Sequence, residues 1–229
     1  MFENIIKNVH NRHPLIHCIT NYVSINDCAN IVLACGGAPI MAEDINEVSQ
    51  ITSICQGLDI NIGMLNDNKL SSMLKAGATA NELGIPVILD PVGAGSSDYR
   101  IKAVQNLMSN VQFGVIRGNV SEIKAIAAKQ GIHNIAAGVY ETMQKNKSAM
   151  GVEAGIADKI TDDNIKEMAD FINKLSQKTG AVIAVTGGID MVADENRVYA
   201  IRNGHKMMSL VTGAGCQLSA FTSAYVAAD

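Results

Sequence analysis

Short β-branched runs alternate along this chain with longer stretches of helical period, at Leu15–Ile19, Ala38–Ile40, Leu58–Ile62, Pro86–Leu89, Gly114–Ile116 and Ala181–Val185. Parallel strands must be joined by crossovers of roughly a dozen residues or more, which helices supply. The alternation therefore predicts an α/β fold, a mostly parallel sheet covered by helices on both faces. The spacing predicts helices over Ser24–Cys35, Asp67–Leu83, Asn119–Lys129 and Asp162–Lys178, with Asp67 and Asp162 as caps and Gly84 and Gly180 as stops. Asp190–Asp194 and Arg197–Ile201, joined by Glu195-Asn196, read as a hairpin on the sheet edge.

A chain of 229 residues with 48% hydrophobic content can bury one core, so a single domain over residues 1–229 is expected. Charged residues make up 17% and the net charge is -4, which leaves no basic footprint for nucleic acid or an anionic membrane. The absence of Trp also disfavours base-stacking platforms. The opening Met1-Phe2-Glu3-Asn4-Ile5-Ile6-Lys7 lacks the pattern of a secretory leader, and no segment is apolar enough to span a bilayer, so a cytoplasmic location is expected. Cys18, Cys28, Cys35, Cys55 and Cys216 form no Cys-x-x-Cys pair, which argues against a disulfide framework or structural zinc. The histidines, His17 within a strand among them, show no partner pattern and read as structural.

Read to their ends, the strands run into Thr20-Asn21, Met41, Gly63-Met64, Asp90-Pro91, Arg117-Gly118-Asn119 and Thr186-Gly187-Gly188. Carboxyl ends of parallel strands share one edge, where open α/β folds bind ligands, so these groups are expected on one rim. Asp90 precedes a Gly-rich loop through Gly93 and Gly95 that can expose N–H groups to phosphate. Glu122, in the first turn of a helix, either only favours the helix dipole or joins Asp90 in holding Mg²⁺. Arg117 ends an apolar strand, and its forked guanidinium suits a phosphate. Thr186 offers a hydroxyl beside a backbone that a nucleotide can approach.

Val211-Thr212-Gly213-Ala214-Gly215-Cys216 precedes the helix-favouring run Gln217-Leu218-Ser219-Ala220-Phe221. It is either a Gly-rich turn before a core helix or an anion hole. In the second case the amides of Gly213, Ala214, Gly215 and Cys216 meet developing negative charge, and the helix start pushes the thiol toward thiolate. Phosphoryl transfer needs positioning, a metal ion and anion stabilisation, and Cys216 supplies a base for an acceptor hydroxyl. A covalent-nucleophile reading of Cys216 lacks a His and Asn/Asp partner set and leaves Asp90, Arg117 and Glu122 unexplained.

With these motifs the chain resembles the hydroxyethylthiazole kinases, thiamine-salvage members of the ribokinase-like superfamily. The resemblance rests on Ile19-Thr20-Asn21-Tyr22-Val23, Ala38-Pro39-Ile40-Met41, Leu89-Asp90-Pro91-Val92-Gly93-Ala94, Arg117-Gly118-Asn119-Val120-Ser121-Glu122, Ala184-Val185-Thr186-Gly187, and Asn203-Gly204-His205-Lys206 leading to Thr212–Cys216. It implies a three-layer ribokinase-like sandwich and phosphorylation, with ATP and Mg²⁺, of the hydroxyl of 4-methyl-5-(2-hydroxyethyl)thiazole in a homotrimer. It further implies thiazole contacts from Asn21, Val23, Met41 and Gly213, ATP contacts from Arg117 and Thr186, Mg²⁺ held by Asp90 and Glu122, and Cys216 where most of the superfamily carries an aspartate base. Two departures from the family pattern stand out. Gly131–Met150 is longer than expected, and the chain stops at Asp229 where the family continues with further helices. The second departure raises the alternative of a ligand-binding protein with weakened kinase activity.

Overall fold

The computed structural model describes residues 2–131 and 159–229, in two compact units. The first comprises Met1–Asp90, Asn106–Gly114 and Ser209–Asp229. In it α1 (Phe2–Arg12), β1 (Leu15–Ile19), α2 (Ile25–Ala34), β2 (Ala38–Ile40), α3 (Val48–Ser53), β3 (Gly57–Asn61), α4 (Asp67–Glu82) and β4 (Val87–Asp90) follow in sequence, and α8 (Ala214–Ala227) returns at the end of the chain. Strand β1 pairs in parallel with β2 and β3, and β3 with β4, so the order is β2-β1-β3-β4. Every residue of β3 and β4 is buried, as expected for strands covered on both sides. One cover is α8, which packs on β1, β3 and β4 together with α1 and α2; the other is α4, which packs on β3 and β4 beside α3.

The second unit comprises Pro91–Gln105 and Val115–Met208. It holds β5 (Val115–Asn119), α6 (Val120–Lys129), α7 (Ile165–Thr179), β6 (Val182–Thr186), β7 (Asp190–Ala193) and β8 (Val198–Ile201); the residues of α5 (Asp98–Asn110) are divided between the units. β5 and β6 are parallel, whereas β7 is antiparallel to both β6 and β8, which is the expected hairpin. Burial alternates along β6 and β7, and β8 is largely exposed, as befits strands with one wet face.

Helix boundaries follow local chemistry. Helix α4 is capped by Asn66, whose side chain accepts from the Lys69 N–H at 2.9 Å, so the cap lies one residue before the expected Asp67. Helix α7 starts three residues after the expected Asp162; its N-cap, Asn164, makes no side-chain cap and accepts from the Thr161 N–H at 2.8 Å instead. It does stop at Gly180, which takes the left-handed conformation. Helices α1, α3 and α5 have no counterpart in the sequence reading. The stretch after Gly131, through Met150 and on to residue 158, lies outside the described residues. Among the described residues no helix is long and apolar enough to cross a membrane.

Candidate active site

In the first unit, parallel pairing brings the ends of β1, β3 and β4 to one edge, and the start of α8 meets them there. The result is a continuous buried chain of polar side chains. Asn21 Nδ2 donates to Cys216 Sγ at 3.1 Å and to Asn61 Oδ1 at 3.1 Å. Asn61 Nδ2 donates to Asp90 Oδ2 at 2.9 Å, and Ser219 Oγ donates to the same oxygen at 2.9 Å. The direction of the chain is forced, because a carboxylate only accepts. Asn61 must therefore turn its amide nitrogen to Asp90 and its oxygen to Asn21 and to the Gly63 N–H. Asn21 Oδ1 in turn accepts from the Ser24 N–H and hydroxyl. Both donors and both acceptor positions of the Asn21 amide are thus engaged within the protein.

Two glycines make this packing possible. A Cβ on Gly63 would lie 2.9 Å from both Asn21 Nδ2 and Asn61 Oδ1. Gly213 caps α8 at φ 74°, a left-handed conformation that other residues adopt at a cost, and a Cβ there would lie 2.6 Å from Ser24 Cβ. The two observations fit a glycine-specific helix entry.

Helix α8 starts at Ala214, which makes Cys216 its third residue. The expected four-amide hole is narrower than the sequence suggests, because the Ala214 N–H turns back to Val211 O at 3.4 Å. The Gly215 and Cys216 amides lie in the first turn, where a helix provides no acceptor of its own. The thiol departs from expectation. Burial, first, and the Asp90 charge push the Cys216 thiol up, against hydrogen bonds from Ser24, Asn61 and Asn21 that pull it down. Desolvation of a thiolate outweighs the helix start here, so the group rests as a thiol.

In the second unit, β5 and β6 run in parallel, and Arg117 Nη2 donates to Thr186 Oγ1 at 2.8 Å. The two residues assigned to ATP are therefore brought together. Glu122 closes a capping box on α6: Asn119 Oδ1 accepts from the Glu122 N–H at 2.9 Å, and Glu122 Oε2 accepts from the Asn119 N–H at 2.8 Å. Glu122 Oε1 accepts from the Gly93 N–H at 2.8 Å, which ties the Gly-rich loop to the helix start. Among the described residues no group of three or more His, Cys, Asp or Glu side chains is placed to hold a metal ion. Asp90 ends β4 fully buried, and Glu122 stands in the first turn of α6.

Val23 is 66% exposed, and Met41 is half-buried after β2. The sequence reading missed Asn61, Ser24 and Ser219. Asn61 and Asp59 are polar residues in an otherwise apolar strand, a visible oddity, and Ser219 lies three residues beyond Cys216, on the same helix face. His17 is structural as expected: fully buried, it donates from Nε2 to Ala42 O at 2.8 Å and bonds Thr52 Oγ1 through Nδ1 at 2.9 Å. Burial pushes its pKa down.

Known proteins resemble this chain over nearly its whole length. A model of the hydroxyethylthiazole kinase family matches residues 6–161 and 132–229. A hydroxyethylthiazole kinase of Clostridium acetobutylicum is 52% identical over 229 residues, all of this chain and 78% of that protein. The structure of a hydroxyethylthiazole kinase protein from Pyrococcus horikoshii OT3 superposes with a TM-score of 0.81 at 33% identity, over 98% of this chain and 75% of that one. A ribokinase-like superfamily protein from Enterococcus faecalis, 11% identical, shares the fold with a TM-score of 0.58 over 97% of this chain and 73% of its own. The architecture is ribokinase-like, and the chain belongs to the hydroxyethylthiazole kinase family.

Proposed function

We propose that this chain transfers the γ-phosphoryl group of ATP to the hydroxyl of 4-methyl-5-(2-hydroxyethyl)thiazole, a reaction of thiamine salvage. The observation that carries the reading, together with family membership, is the thiol of Cys216 held by Asn21 in the first turn of α8. The acceptor oxygen attacks the γ-phosphorus as the bond to ADP breaks; Cys216 serves through its minor ionised fraction, the thiol first losing its proton to solvent, then taking the hydroxyl proton and releasing that in turn. The Gly215 and Cys216 amides face negative charge gathering on the transferred group, with Gly213 setting the turn that aims them. Because the Asn21 amide is saturated internally, its side chain acts by orienting Cys216, and Val23 and Met41 offer apolar contact to the thiazole. Arg117 and Thr186 bind ATP, the guanidinium orienting the hydroxyl it already touches.

Asp90 and Glu122 are the carboxylates we assign to the Mg²⁺ that accompanies ATP. That ion, when bound, neutralises phosphate charge. The exposed Val23, Leu210 and Val211 support burial in an oligomer, for which we propose the homotrimer; size-exclusion chromatography with light scattering tests it. The activity is tested by ADP formation from Mg-ATP with and without the thiazole alcohol. Turnover that depends on the alcohol supports the kinase. Calorimetric binding of the alcohol without turnover supports a ligand-binding protein instead, which family membership does not favour.

A further inference from the structure

Lys69 is a charged residue in an unusual place. Its side chain is 3% exposed, although it stands in the first turn of α4, and the Asn66 cap on its own N–H fixes where the side chain begins. The ammonium donates to the carbonyl of Thr20 and pairs with Glu43 Oε2 at 2.9 Å. It also lies 4.6 Å from the centre of the Tyr22 ring, close enough for a cation–π contact, and Tyr22 Oη donates to the other oxygen of Glu43. Burial works against ionisation of Glu43, but hydrogen bonds from Tyr22 and Lys69 and the charge of Lys69 hold its carboxyl below the usual range.

Each partner of Lys69 adjoins a residue given a role at the acceptor, Asn21 in orienting Cys216 and Val23 and Met41 in contact with the thiazole. Thr20 precedes Asn21, Tyr22 separates Asn21 from Val23, and Glu43 follows Met41 by two positions. One buried cation thus fastens the segment after β1 to the segment after β2. A buried ammonium of this kind stays only where its hydrogen-bond partners are all in place, so it holds the two segments in one geometry. We infer that Lys69 is a positioning residue for the alcohol acceptor, acting with Glu43 and Tyr22 to hold Asn21, Val23 and Met41 in register. The roles of those residues at the acceptor rest on the proposed function; the fastening itself does not.

The experiment compares wild type, Lys69→Met and the double variant Lys69→Met/Glu43→Gln as full chains. The double variant removes both charges, so no carboxylate is left without its partner, while the Thr20 carbonyl still loses its donor. Amide hydrogen exchange should quicken at residues 20–24 and 41–47 in both variants and stay unchanged in α7. For catalysis, KM for the thiazole alcohol should rise about tenfold while KM for ATP stays within about twofold. The double variant should recover melting temperature yet keep the raised KM, a split that a merely structural role does not produce. Unchanged exchange in the two segments, equal rises in both KM values, or recovery of KM together with melting temperature would overturn the inference. Wild type without alcohol-dependent turnover would overturn the proposed function alone, since the exchange measurement needs no substrate.

Discussion

In the first unit the polar chain at the strand ends joins side chains 195, 40, 29 and 129 positions apart in sequence. In the second, Glu122 meets backbone N–H groups three and 29 positions away, and one of these bonds is an ordinary helix cap. The first arrangement is buried and reciprocal, so loss of one member leaves its neighbours unsatisfied where water cannot reach. The second is part-buried and uses main-chain donors that survive any side-chain change. The contrast teaches that the fragility of a site follows the kind of hydrogen bonds it holds, not their number alone.

Four measurements test or sharpen that contrast. The largest effect is expected for Cys216→Ala, a loss of about 10²- to 10⁴-fold in turnover by steady-state kinetics, while Cys216→Asp stays active. Unchanged turnover in the alanine variant excludes Cys216 as the base. Asn61→Leu should come next, lowering stability by about 3 kcal/mol in urea titration, because it strips a donor from a buried carboxylate and an acceptor from Asn21. Asn119→Ala in the second unit should cost about 1 kcal/mol, the usual value of a helix cap. If it costs as much as Asn61→Leu, the contrast fails.

The smallest effect concerns pH. Burial lowers the pKa of His17 in the folded protein, so below the ordinary histidine value of about 6.5 the unfolded chain takes up a proton that the folded one refuses. Stability from this group is therefore complete above that pH and declines as pH falls through it toward the folded value. His17→Gln should flatten the decline in a plot of urea midpoint against pH between 7 and 5.5.

Much of the fold was legible because its signals are local. The β-branched runs at Leu15–Ile19 and Ala38–Ile40 coincide with β1 and β2, and Gly180 ends α7 as its missing side chain allows. Helices α3 and α5 were not, since their short or mixed sequences carry weak periodicity and take their form from packing. In the site, Gly213, Cys216 and Asp90 announced themselves by motif. Asn61 and Ser24 did not, because an asparagine or serine becomes a bridge only once the chain has folded another segment against it. The direction of the Cys216 shift was misread for the same reason: the helix start is written in sequence, but the burial and the neighbouring Asp90 charge are tertiary.

The other four cysteines follow the same rule. Burial pushes Cys18 well up, raises Cys35, and lifts Cys28 to about 12 and Cys55 to about 11. Cys216 is raised as well, so at all five positions burial works against the sulfur anion. Peroxide attack and glutathione exchange both proceed through that anion, so burial of the five unbridged sulfurs works against both reactions.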